Sequence, residues 1–74
     1  DADSVTHDTP IFLFDKKKDS FVSTQIGDFV DNCNNPSDYK ALTFSSNPGK
    51  SELKEIYKTV KHPLKSTIYK IKTR

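Results

Sequence analysis

The chain has 74 residues, of which 32% are hydrophobic and 30% are charged, and its formal net charge is +2. A domain of this length buries only about 60% of the surface that its unfolded chain exposes, so one thin core leaves little to line a deep catalytic cavity. Residues 1–49 carry eight Asp and four Lys, a net charge of −4, whereas residues 50–74 carry seven Lys, Arg74 and two Glu, a net charge of +6. Such asymmetry indicates a charged binding partner.

The residue types that report on cellular location leave that location open. Cys33 is the one cysteine of the chain, so it cannot form an internal disulfide, and a reducing compartment fits. The absence of Met, even at position 1, and the ending Lys72-Thr73-Arg74 suit a processed chain or a fragment of a longer one. The longest apolar run, Ile11 to Phe14, is far shorter than the roughly 20 residues that span a bilayer. The localisation is therefore unknown, and both a cytoplasmic chain and a chain secreted after processing fit these features.

The first elements in chain order are an arm and a hairpin. Residues 1–9 are polar and lack periodicity, which predicts a flexible arm before a single domain over residues 10–74. Pro10–Phe14 and Ser20–Ser23 have the composition of strands, and the charged segment between them predicts a turn.

A short amphipathic helix is predicted next. Its apolar residues recur at i, i+3, i+4 and i+7, namely Ile26, Phe29, Val30 and Cys33. Ser23 or Thr24 is expected to cap its start, and Asn34-Asn35-Pro36 is expected to end it.

The second half predicts a strand, a second helix and a last strand. Tyr39–Phe44 has a strand composition, and Pro48 suits the first position of a helix that runs to about Lys61. The helical spacing is carried by Leu53, Ile56, Tyr57 and Val60. Thr67–Lys72 is rich in β-branched and aromatic residues and predicts a strand.

These elements predict an α+β fold. The order β-β-α-β-α-β with short connections favours an antiparallel or mixed sheet of about four strands, with both amphipathic helices on one face. A hairpin followed by a helix and further strands also resembles the β-grasp topology of ubiquitin. The resemblance concerns architecture, because the chain ends in Lys-Thr-Arg and has no terminal diglycine for conjugation.

The lysines beyond residue 49 are the candidate binding residues. On the predicted second helix, four of them fall on one flank, and on the last strand alternation places three cations on one side, with Lys65 between the two elements. The predicted surface for a polyanion or an acidic partner consists of Lys50, Lys54, Lys58, Lys61, Lys65, Lys70, Lys72 and Arg74. A solvated helix flank and a lysine-protected edge strand would use the same residues.

The sequence shows no constellation for catalysis, a metal or a cofactor. Cys33 lies on the apolar stripe of its predicted helix, where a thiol usually acts as a small core residue. His7 and His62 have no neighbours at metal-ligand spacing, and the two glycines form no phosphate-binding loop. We therefore expect neither an enzyme nor a bound cofactor.

The sequence favours a non-enzymatic binding module that docks an acidic protein, with nucleic acid as another polyanion partner. One Arg is few for phosphate or base recognition, which weighs against nucleic acid. Two alternatives stay open: a processed secreted toxin, effector or inhibitor chain that docks to a protein surface, and a structural subunit of a larger assembly. Association with another chain would complete the thin core.

Overall fold

The computed structural model describes residues 4–44, 49–63 and 67–74, and these form a single antiparallel sheet with one short α-helix on one face. A 3₁₀ turn at Pro36–Asp38 precedes the fourth strand. The elements are β1 (Val5–Thr6), β2 (Pro10–Asp15), β3 (Ser20–Gln25), α1 (Ile26–Asn32), β4 (Tyr39–Phe44), β5 (Ser51–Pro63) and β6 (Thr67–Thr73).

The strand order across the sheet is β1-β6-β5-β4-β2-β3. The long strand β5 joins the two halves of the sheet: Ser51–Glu55 pairs with β4, and the remainder pairs with β6. The register shifts between Ile56 and Lys58, so Tyr57 is the extra residue of a β-bulge. The bulge changes the phase of side-chain alternation halfway along β5.

The helix α1 divides the sheet into an inner face, which it covers, and an outer face. Two residues of α1, Ile26 and Phe29, are buried against four inner-face residues of the sheet. These sheet residues are Leu13, Ile56, Tyr69 and Ile71. The core is thus one helix thick, consistent with the shortest molecular dimension of 19 Å.

The hairpin predicted for β2 and β3 is confirmed, with pairing from Pro10↔Gln25 to Asp15↔Ser20. The buried Asp15 carboxylate accepts hydrogen bonds from the backbone N–H groups of Lys17 and Lys18 at 3.0 and 3.1 Å. Asp19 adopts a positive φ of 52°, a conformation that Asp tolerates better than most residues. The strands predicted at Tyr39–Phe44 and Thr67–Lys72 are also present.

The start of α1 is held by the preceding chain, not by a side chain of the hairpin. Gln25 occupies the N-cap position and makes no capping side-chain hydrogen bond, so the predicted Ser23 or Thr24 cap was wrong. The backbone N–H groups of Ile26 and Gly27 donate instead to the carbonyl oxygens of Thr9 and His7, at 2.8 and 2.9 Å. Residues 5–9, which include β1, therefore lie across the start of the helix.

The predicted α+β fold with four strands and two helices was wrong. Residues 51–61 of the segment expected to form the second helix belong to β5, and Pro48, expected to begin that helix, lies outside the described residues. The sheet is antiparallel throughout its described pairings, and β4, β5 and β6 are consecutive neighbours, so the ubiquitin-like arrangement is not formed. The apolar residues that suggested a helix lie on both faces of β5: Leu53 and Val60 are on the outer face and Ile56 is on the inner face, so together they imitate a period of 3.6 residues.

Candidate binding surface

The structure separates the predicted cationic residues instead of gathering them on a helix flank. Lys50 lies in the segment before β5, and Lys65 lies outside the described residues. Alternation from the buried Ile56 and Tyr69 places Lys54 and Lys61 on the inner face. Four predicted cations share the outer face of β5 and β6, and we call these the basic patch: Lys58, Lys70, Lys72 and Arg74.

The basic patch is assembled by the register of β5 with β6. Lys58 stands directly opposite Lys72, and Lys70 lies two residues before Lys72 on the same face. The Arg74 guanidinium carbon lies 5.0 Å from the centre of the Tyr57 ring, and the Arg74 backbone N–H donates to the Glu55 carbonyl oxygen at 3.0 Å. In the described part of the chain, no carboxylate lies within 4.0 Å of a cationic nitrogen of this patch.

On the inner face, Lys61 is engaged with the helix. Its ammonium donates to Asp31 Oδ1 at 2.9 Å, and the Tyr69 hydroxyl lies 3.3 Å from Asp31 Oδ2. The hydrogen bond from Lys61 lowers the pKa of Asp31, and the same bond raises the pKa of Lys61. His7 Nε2 lies 3.6 Å from Asp28 Oδ1 and 3.8 Å from Asp31 Oδ2. Lys61 therefore pairs with the helix and is not part of the basic patch.

Lys54 also has a neighbouring carboxylate, since its ammonium lies 3.7 Å from Glu52 Oε1. Asp31 of the first half pairs with Lys61 in the same manner, so part of the positive charge beyond residue 49 is neutralised by carboxylates. The predicted helix flank is not formed, because its residues lie on β5 and in the segment before it, whereas binding by the eight residues stays a prediction. The outer-face members of the predicted surface remain a candidate site.

An apolar patch that the sequence analysis missed occupies the rest of the outer face. Its members lie on β2, β3, β4 and the first part of β5. Phe14 and Phe21 pair directly across β2 and β3, and their ring centres lie 5.2 Å apart in an edge-to-face arrangement. The apolar patch consists of Phe12, Phe14, Phe21, Leu42, Phe44 and Leu53. The exposed fraction is 45% for Phe12, 67% for Phe21, 71% for Phe44 and 37% for Leu53.

A sequence signal for the apolar patch was present in the run Ile11-Phe12-Leu13-Phe14. A strand with one solvated face alternates apolar and polar residues, whereas a strand covered on both faces is apolar throughout. The structure places Leu13 in the core and Phe12 on the outer face. The uninterrupted run therefore already indicated two apolar faces.

Charged side chains border the apolar patch and pair with one another. The Lys16 ammonium donates to Glu55 Oε1, and Lys40 Nζ lies 3.6 Å from Glu55 Oε2. The hydrogen bond from Lys16, assisted by Lys40, lowers the pKa of Glu55. This cluster connects β2, β4 and β5 on the side of the basic patch.

Cys33 follows α1 and is half-buried against the core. Burial raises the pKa of its thiol, which disfavours the thiolate that nucleophilic chemistry needs. Among the residues that the structure describes, no group of three His, Cys, Asp or Glu side chains is arranged to hold a metal ion. Within the same residues, no helix has the length and apolar character to cross a membrane.

Comparisons with known proteins gave no match: none was found among family models, curated proteins or solved structures. Functional inference therefore rests on the two patches of the outer face.

Proposed function

We propose that this protein is a non-enzymatic binding module that docks an acidic protein surface through the basic patch. The observation that carries the proposal is the direct opposition of Lys58 and Lys72 across β5 and β6. Like charges directly opposite on neighbouring strands destabilise a sheet, so the isolated domain gains nothing from this pair. Carboxylates of a partner placed between the two ammonium groups would convert the repulsion into attraction.

The dimensions of the patch favour a protein over a nucleic acid. From Lys70 to Arg74 the strand extends about 13 Å at roughly 3.3 Å per residue, a length suited to a few carboxylates. Contact of all four cations with duplex phosphates would give a log–log salt slope of only about −3.6. The Arg74–Tyr57 pair adds residue types that are enriched at protein interfaces.

The test uses immobilised poly-L-glutamate as the probe and compares Lys58→Glu and Lys72→Glu with the wild type. Each substitution is expected to weaken binding about tenfold, a difference of about 1.4 kcal/mol. Lys18→Glu is the matched control, because it makes the same charge change at an exposed residue of the β2–β3 turn, away from the patch. Equal weakening by Lys18→Glu would show that binding follows net charge, and would overturn the proposal.

A duplex of random sequence serves as the second probe. Tighter binding to duplex than to poly-L-glutamate, with a slope near the −3.6 expected for about four phosphate contacts, would reassign the patch to nucleic acid. Circular dichroism of each variant verifies that the sheet is retained.

A further inference from the structure

We propose that the apolar patch is the interface of a symmetric dimer, in which a second copy of this chain covers the outer face of β3, β2, β4 and the first part of β5. This inference goes beyond the proposed function and does not depend on it. It concerns the half of the outer face that carries no part of the basic patch.

The first argument is the composition of β2. Ile11 and Leu13 face the helix side, whereas Phe12 and Phe14 face outward, so the strand is apolar on both faces. Antiparallel sheets with a solvated face normally place polar residues on it. The helix covers the inner face, and the composition of β2 indicates a second layer on the outer face.

The second argument is the area that the apolar patch would bury. Phe12, Phe21 and Phe44 are 45%, 67% and 71% exposed, and Leu53 is 37% exposed. With about 200 Å² for a fully exposed aromatic side chain, these four expose about 400 Å² per copy. Two copies would bury about 800 Å² of apolar surface, close to the non-polar share of a standard interface of about 1,600 Å². A second copy therefore supplies what a stable dimer needs.

The third argument is electrostatic. The basic patch lies along β6 and the second part of β5, past the part of β5 that pairs with β4. A copy that lies face to face on the apolar patch therefore leaves the cations of both basic patches outside the contact. Two sheets packed in this way keep their strands aligned, as in common β-sandwiches.

The charged border of the patch does not oppose this contact. Lys16 and Lys40 share the carboxylate of Glu55, so the copies do not meet with unpaired charges of one sign at that position.

Sedimentation equilibrium of the full chain tests the dimer. The wild type is expected to pass from monomer to dimer as its concentration rises through the micromolar range, whereas Phe21→Lys and Phe44→Lys should each weaken association about 30-fold, as loss of a hot-spot aromatic residue does. Val60→Lys is the matched control: it places the same side chain on the outer face of the second part of β5, beyond the overlap. A monomer at all concentrations would overturn the proposal and leave the patch to a different protein partner.

A cross-linking arm decides the result if a lysine variant fails to fold. Phe12→Cys and Leu42→Cys are made in separate chains that also carry Cys33→Ser, and each chain is oxidised at micromolar concentration. Both should form disulfide-linked dimers, because both positions lie within the proposed contact, whereas Val60→Cys with Cys33→Ser, which lies beyond it, should form few. Equal yields from the three positions would overturn the proposal. Poly-L-glutamate binding is not a readout here, so failure of the proposed function is distinguishable from failure of the dimer.

Discussion

Substitution of Gly27 by Ala is expected to destabilise the protein, although Gly27 lies within α1. Ala is favoured over Gly in a helix by about 1 kcal/mol. A Cβ at this position would lie 2.6 Å from His7 Nε2 and would overlap the nearer ring atoms of the same imidazole. The ring packs edge-on against Tyr69 with centroids 5.3 Å apart, and the His7 carbonyl accepts from the Gly27 N–H. Displacement of this segment loses the aromatic contact, about 0.5–1.5 kcal/mol, and one hydrogen bond, about 0.5–1.5 kcal/mol.

The two losses together cost about 1–3 kcal/mol, and if the backbone cannot move, close approach costs about 1–3 kcal/mol in their place. After the helical gain of about 1 kcal/mol, Gly27→Ala should lower the free energy of unfolding by up to about 2 kcal/mol. In a domain of this size the expected fall in Tm is about 4–8 °C per kcal/mol. Urea and thermal unfolding measure both quantities at one fixed protein concentration. His7→Ala is the control background, in which Gly27→Ala should become neutral or stabilising. A rise in Tm when Gly27→Ala is made in the wild type would refute the reasoning.

Three further predictions concern charge and the thiol. Lys72→Glu should raise the free energy of unfolding by about 0.5–1 kcal/mol at low salt, because it converts the opposed Lys58 pair into an ion pair; an unchanged or lowered urea midpoint would contradict this. The pKa of Asp31 is lowered by Lys61, so the stability that this carboxylate contributes is present above its unfolded pKa and is lost as the pH falls below about 4. In Asp31→Asn the free energy of unfolding should therefore fall less steeply at acid pH than in the wild type. An unchanged dependence on pH would show that the Asp31 carboxylate does not contribute this stability. The Cys33 thiol, whose pKa is raised by burial, should react with iodoacetamide more slowly in the folded chain than in urea at the same pH; equal rates would show that it is accessible.

The local elements of the first half could be predicted because their signals are local. The apolar strand Pro10–Phe14, the charged turn and the helix at Ile26 each follow from neighbouring residues. The capping of α1 could not be predicted in this way, because its acceptors are the carbonyl oxygens of His7 and Thr9, which lie beyond the intervening hairpin. A backbone acceptor carries no side-chain signal in the sequence.

The error at β5 had a different cause. Leu53, Ile56 and Val60 have helical spacing, but in the strand Leu53 and Val60 lie on the outer face and Ile56 lies on the inner face. The β-branched Ile56, Thr59 and Val60 favour a strand. Tertiary pairing with two neighbouring strands then decides the conformation.

The candidate site was predictable only where its residues lie on one strand that the sequence identifies as a strand. Lys70, Lys72 and Arg74 share one side because they lie on a strand that was predicted as a strand. Lys58 joins them through the cross-strand register, whereas Lys61 turns to Asp31 on the helix. Neither the register nor that ion pair can be read from composition, and so the charge asymmetry of the sequence overestimated the extent of the basic surface.

The sharing of β5 between the two halves of the sheet also has a consequence for cooperativity. Its first part hydrogen-bonds to β4 and its second part to β6, so neither half can detach while β5 stays intact. Separate opening units in a protein usually follow boundaries that few backbone bonds cross, and here the boundary runs through one continuous strand. We therefore expect the amides near Ile56 to exchange with solvent only through global unfolding, and the chain to behave as a single folding unit despite the thinness of its core.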